Sequence, residues 1–181
     1  AISLDISKSA IVPLGSDIIS DKGKEYNTIR LLYVGTLSGR EIDKTIKGLY
    51  LFLKNHPTVN ITYDIVGDGY ANEVETIRGL AKELSVEQYI TLHGFKPHTE
   101  IKKFLDKCNI GISYVPITEF YNHQPPTKTY EYILSGLYTI ATDTFCNRNI
   151  INKNNGIGVK NRSKWVKNKD KYNFRHNSAC G

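Results

Sequence analysis

Six short apolar runs, Ile29 to Gly35, Ile61 to Gly67, Tyr89 to Gly94, Asn109 to Val115, Tyr138 to Asp143 and Gly156 to Lys160, are separated by segments of different periodicity. Between them, helical spacing is read over about Asp43 to Asn55, Asn72 to Leu84 and Thr99 to Lys107, then in a central helix near residue 130 and a short one near Asn147 to Lys153. A period that switches repeatedly between 2 and 3.6 predicts βα units. Strands apolar on both sides belong to a parallel sheet covered on both faces, so the expected fold class is α/β, a Rossmann-like parallel sheet of about six strands. Ligands of such sheets bind outside the carboxyl ends of the strands, which directs attention to the loops that follow them.

The 181 residues suffice for one domain with a full core. The expected division is a hinge or lead-in segment over 1–28, weakly structured apart from Ser9 to Val12 and an extended IVPLGSD turning at Gly15, a ligand-binding domain over 29–160, and a basic tail over 161–181. From Lys160 to Arg175 there are seven Lys and Arg against the single acid Asp170, which accounts for the formal charge of +6. A solvated or disordered tail is the plain reading, one able to touch an acidic membrane surface. No nucleic-acid-binding signature accompanies it, so a nucleic-acid partner is not expected. Apolar runs stop well short of the roughly 18 residues of a spanning helix, and no leader pattern opens the chain, which predicts a cytoplasmic protein, at most peripheral at the inner face of a membrane. Cys108, Cys146 and Cys180 are too few and too scattered for a disulfide framework or a zinc site.

The richest stretch is QPPTKTYEYILSGLYTIATD, Gln124 to Asp143. Pro125 and Pro126 suit a helix start and Gly136 a helix stop, giving about three turns at most. Tyr130, Ile133, Leu134 and Leu137 are expected to form its core-facing stripe, with Thr127, Lys128 and Glu131 on another side. Free N–H groups and the positive end of the helix dipole at Thr127 and Lys128 favour a phosphate, and Glu131, one turn deeper, can accept from hydroxyls attached to it. After the first strand, Arg40 and Lys47 are cations placed to neutralise a diphosphate. Gly67 and Gly69 flank Asp68 after the second strand and let the backbone turn tightly beside a ligand. A dinucleotide fingerprint would need a glycine at Asn72, and no phosphate-binding G-x-x-x-x-G-K-S/T occurs, so NAD and the common NTPase chemistries are disfavoured. His93 and His98 share no helix face and have no carboxylate at ligand spacing, so no metal is expected.

At Lys128, Glu131, Tyr132 and Gly136, followed by the apolar strand Tyr138 to Ala141, the chain resembles the nucleotide-sugar-binding half of retaining GT-B glycosyltransferases, the group 1 type. The resemblance covers about Ile11 to Val159. It implies one half of a GT-B fold, a UDP- or GDP-sugar donor, and transfer to a carbohydrate or lipid-linked acceptor, as in polysaccharide biosynthesis, with no cofactor. It implies that Arg40, Lys47 and the amides near Thr127 and Lys128 hold the diphosphate, that Glu131 holds the ribose, and that Phe95 and Lys96 meet the base. An N-terminal acceptor domain is implied as partner, so no catalytic residue is assigned within this chain. Two departures stand out. The family's first Glu is replaced by His123, with Glu119 four residues too early, and Thr36 stands where an Arg is common. The alternatives are one half of a GT-B sugar-nucleotide epimerase and a non-catalytic flavodoxin-like module; the latter predicts acids at the first strand's end, where Gly35, Thr36 and Leu37 stand instead.

Overall fold

The computed structural model describes residues 14–160. The basic tail and the stretch Ser9 to Val12 lie outside the described residues. Within them the elements run β1 (Ile29–Val34), α1 (Asp43–Asn55), β2 (Ile61–Val66), α2 (Ala71–Glu83), β3 (Ile90–Leu92), α3 (Ile101–Lys107), β4 (Ile110–Ser113), α4 (Glu119–His123), α5 (Thr127–Leu134), β5 (Tyr138–Thr142), α6 (Phe145–Arg148) and β6 (Gly156–Val159). The strands form one sheet in the order β3-β2-β1-β4-β5-β6, with every adjacent pair parallel. This is the expected Rossmann-like α/β fold. Because β1 continues outward to β2 and the chain then returns to place β4 on its other side, the strand order reverses between β1 and β4, where a crevice opens in such sheets.

Both faces are filled. On one, Tyr33, Tyr63, Ile65, Ile110 and Ile112 pack with Ile46, Leu49 and Leu53 of α1 and Ile77 and Ala81 of α2. Those helical spacings of three, four and seven are the ones that placed α1 and α2 in the sequence. On the other face Leu32 and Val66 meet Ile101, Phe104 and Leu105 of α3, together with Tyr132 and Leu137.

The central helix sits in a different rotation from the expected one. Its buried residues are Lys128, Thr129 and Tyr132, whereas Leu134 is 40% exposed and Tyr130 and Ile133 are only half-buried. The reason lies in β4. A Cβ at Gly111 would come within 2.4 Å of the Tyr132 ring, so the missing side chain of Gly111 makes room for that tyrosine. Pairing between β1 and β4 is limited to Leu31 with Ile110 and Leu32 with Gly111, and beyond it the Val34 amide donates to the Tyr132 hydroxyl at 2.7 Å. A satisfied tyrosine wedged between diverging strands outweighs an aliphatic stripe, because an unpaired buried amide costs about 1–3 kcal/mol.

Two short helices also differ. Thr118 caps α4 by accepting from the Tyr121 amide at 3.1 Å, in a stretch where the sequence pattern places no helix. Thr144 accepts from the Asn147 amide at 3.2 Å, which starts α6 at Phe145 instead of near Asn147. The lead-in over 14–28 has no helix or strand, yet it is tied down rather than weakly structured. Asn109 donates to the Glu25 and Thr28 carbonyls at 2.6 and 2.7 Å and accepts from the Arg30 amide at 2.9 Å, while Ser20 bonds Asp106 and Lys24 donates to the Leu105 carbonyl.

Candidate functional site

The loops after β1, β2 and β3 are locked together at the carboxyl edge of the sheet. Gly67, at φ +146°, passes so close to Gly35 that a Cβ would lie 1.8 Å from the Gly35 carbonyl oxygen. Gly69 faces Leu37 and Ser38 at 3.0 and 3.2 Å in the same sense. The Gly67 amide donates to the Gly94 carbonyl at 2.9 Å and the Leu37 amide to the Asp68 carbonyl at 2.9 Å. Glu73 completes the lock by accepting from the Gly39 amide at 3.0 Å and the Tyr70 amide at 3.2 Å, and these bonds hold its carboxyl below the usual glutamate range. What the structure gives Gly67 and Gly69 is therefore the packing of one loop against the next.

Above this floor stands the start of α5. Lys128 is only 9% exposed, its ammonium lies 3.9 Å from the centroid of the Tyr33 ring, and a Cβ on Gly35 would come within 3.4 Å of it. Burial, reinforced by the positive charge of Arg40 and opposed by Glu131, lowers its pKa from 10.5 to about 7. Arg40 lies across the Tyr121 ring, with its guanidinium carbon 4.3 Å from the centroid. Among the described residues neither cation has a hydrogen-bonded or ion-paired acceptor, so an anion entering here would find both charges uncommitted. Glu131, one turn along, has a side chain 19% exposed, and His98 Nε2 stands 3.7 Å from its Oε1. Thr127 is exposed at the helix start, where its amide and the next are beyond the reach of the intrahelical bonds.

A buried hydrogen-bonded chain fixes that helix start, and nothing in the sequence pattern announced it. Ser113 and Thr129 share a bond of 2.6 Å, Thr129 donates to Asn147 Oδ1 at 3.1 Å, and Asn147 Nδ2 donates to the Thr142 carbonyl at 2.8 Å. Each residue alone is an ordinary polar residue; only the juxtaposition of β4, α5 and α6 gives it a role.

The structure brings Arg40, Thr127, Lys128 and Glu131 to one end of the crevice. The loop after β3 reaches the same end through His98 and carries Phe95, 73% exposed, and Lys96, half-buried. Lys47 is not among them. It lies on the exposed side of α1, where Asp43 holds its amine at 3.0 Å, and the charges that act on Lys128 are Arg40 and Glu131. The i, i+4 spacing of Asp43 and Lys47 on a helix satisfies that lysine locally. His123 closes α4 and packs its ring on Phe145, with centroids 5.3 Å apart. Among the described residues no group of three His, Cys, Asp or Glu is placed to hold a metal, and no helix is long and apolar enough to cross a membrane.

Two cations with no acceptor among the described residues and a helix N-terminus thus meet at the switch point of a doubly wound, Rossmann-like parallel sheet. Residues 28–168 match the family described as glycosyl transferases group 1, and the chain belongs to that family. No curated protein matches it. Among solved structures it is similar to Anabaena HepE in complex with UDP, with 16% identity and a TM-score of 0.55 over 74% of this chain and 35% of that one. It is also similar to the pneumococcal O-GlcNAc transferase GtfA in complex with UDP and GlcNAc, with 22% identity and a TM-score of 0.61 over 84% of this chain and 28% of that one. A mutant of S. aureus TarM in complex with fondaparinux, alpha-GlcNAc-glycerol and UDP gives 18% identity and a TM-score of 0.63 over 80% and 28%. The chain thus spans about a third or less of the length of these structures.

Proposed function

We propose that this chain is the donor-binding domain of a retaining glycosyltransferase that takes a UDP- or GDP-sugar and passes the sugar to a carbohydrate or lipid-linked acceptor bound on a second domain. The observation that carries this reading is Lys128, a residue nine-tenths buried at a helix N-terminus, with Arg40 beside it and no acceptor among the described residues. A diphosphate supplies that acceptor. As the glycosidic bond breaks, negative charge builds on the leaving diphosphate, and preorganised N–H groups and cations lower the barrier by stabilising it. Lys128, Arg40 and the amides of Thr127 and Lys128 fill this role without a metal, while Glu131 accepts from the ribose hydroxyls and the backbone around Phe95 and Lys96 meets the base. The UDP carried by HepE, GtfA and TarM favours UDP over GDP. Work at the cytoplasmic face of a membrane, in polysaccharide assembly, suits such a donor.

A thermal-shift panel of UDP, GDP and their sugars tests the reading. A rise in melting temperature with one nucleotide diphosphate, larger than with its nucleoside, is the expected result; no rise with any of them overturns the proposal.

A further inference from the structure

The two cations of the site are held in an uncommon way. Several other lysines are met by a carboxylate, as Lys47 is by Asp43 at 3.0 Å and Lys107 by Asp64 at 2.7 Å. Lys128 and Arg40 instead each rest on the face of a tyrosine, Lys128 on Tyr33 at 3.9 Å and Arg40 on Tyr121 at 4.3 Å. An aromatic face attracts a cation through its quadrupole while accepting none of its hydrogen bonds in the ordinary sense, so the N–H donors stay available. A carboxylate in the same place would consume them and cancel the charge.

The supports are unequal. Tyr33 is fully buried, and its hydroxyl donates to the Thr36 carbonyl at 2.6 Å, which ties the ring under Lys128 to the turn that follows β1. Tyr121 comes from α4, beyond β4, so its contact with Arg40 bridges the two sides of the switch point. Thr36 puts no cation at the start of the β1 loop, and Lys47 is engaged by Asp43, which leaves Arg40 as the loop's available cation.

We propose that Tyr33 and Tyr121 are positioning residues for the donor diphosphate, each holding one cation by its aromatic face so that Lys128 and Arg40 present their N–H groups to the same ligand. This rests on the donor reading above and assigns residues to it that contact no substrate themselves. Tyr121 is the more informative of the two, because it is half-buried and sits on a five-residue helix whose loss of one ring leaves the core intact.

The test is a titration of the full chain with UDP, GDP and uridine. Tyr121→Leu should weaken binding of the preferred diphosphate about three- to ten-fold and leave uridine unchanged, whereas Tyr121→Phe, which keeps the ring, should stay within about two-fold of the unsubstituted chain. In the nucleotide-free chain, proton NMR should show the ε-methylene of Lys128 shifted upfield of other lysines by the Tyr33 ring, a shift kept in Tyr33→Phe. Unchanged diphosphate affinity in Tyr121→Leu, an equal loss for uridine, or an unshifted Lys128 methylene overturns the positioning role while donor binding by the unsubstituted chain stands. Failure of the unsubstituted chain to bind either diphosphate overturns the donor reading and this proposal with it.

Discussion

The Tyr132 hydroxyl accepts the Val34 amide at 2.7 Å where β1 parts from β4, so a helix side chain finishes a hydrogen bond that the sheet leaves open. Tyr132→Phe keeps the ring and strands the amide in an apolar setting. The expected cost is about 1–3 kcal/mol, read as a fall in the midpoint of urea unfolding at unchanged m-value. Because Lys128 lies one turn before Tyr132, nucleotide affinity should fall as well. A variant as stable as the parent would mean that the amide finds another acceptor.

The contact between Gly67 and Gly35 gives a sharper steric test. Gly67→Ala would place a methyl group 1.8 Å from a carbonyl oxygen at a positive φ of 146°, so the loops after β1 and β2 must separate. Loss of more than about 2 kcal/mol is expected. Gly79, inside α2 with no atom within 4 Å of a Cβ, is the internal control: Gly79→Ala should stabilise by about 0.5–1 kcal/mol. Melting temperatures that move together would contradict this.

Much of this architecture was legible. The six strands and the helices α1 to α3 followed from periodicity, because each carries its burial as a repeat of apolar residues. The rotation of α5 was not, since it depends on a vacancy at Gly111 on a strand far away in sequence, and no local repeat encodes that. Arg40, Lys128 and Glu131 stand out at a strand end and a helix start, whereas nothing in the pattern of β1 distinguishes Tyr33, and Tyr121 sits in a helix of five residues, too short to show a period. Lys47 stands apart from them, engaged by the Asp43 four residues before it.

Asp64 should make stability depend on pH. Burial in β2 pushes its carboxyl up, but hydrogen bonds from Lys107 at 2.7 Å and His93 at 2.6 Å more than offset this and leave it below the ordinary value of 3.8. A folded value below the unfolded one means that the contribution is fully present above the unfolded value and disappears as the pH falls through the folded one. Asp64→Asn should therefore destabilise by about 1–3 kcal/mol at pH 7, with the difference shrinking below about pH 4. A constant difference across that range would show that geometry, not charge, is at stake.

Lys128 should move stability with pH in the same direction but in a higher window, as a group that costs stability when it is charged. Its value of about 7 lies below 10.5, so the unfolded chain binds more protons between those values and this lysine makes stability rise with pH across that window. Below pH 7 the amine of this buried lysine is charged with no acceptor among the described residues, and Lys128→Met should raise stability by about 0.5–2 kcal/mol at pH 6.5, a few degrees in melting temperature, with the gain narrowing toward pH 10. The same variant should lose nucleotide binding. A lower melting temperature at pH 6.5 would show that the ammonium has an acceptor after all.

Titration calorimetry of the unsubstituted chain, Lys128→Ala and Glu131→Ala with UDP, GDP and uridine bears most directly on the donor site. On the proposed donor reading Glu131→Ala removes charge-assisted bonds to ribose and should weaken nucleotide and nucleoside alike, by about 1.5–3 kcal/mol or roughly ten- to a hundred-fold. Lys128→Ala should weaken the diphosphate strongly and spare uridine, since phosphate is its proposed partner. Equal affinities in all three proteins would contradict the assignment of this crevice to a nucleotide-sugar.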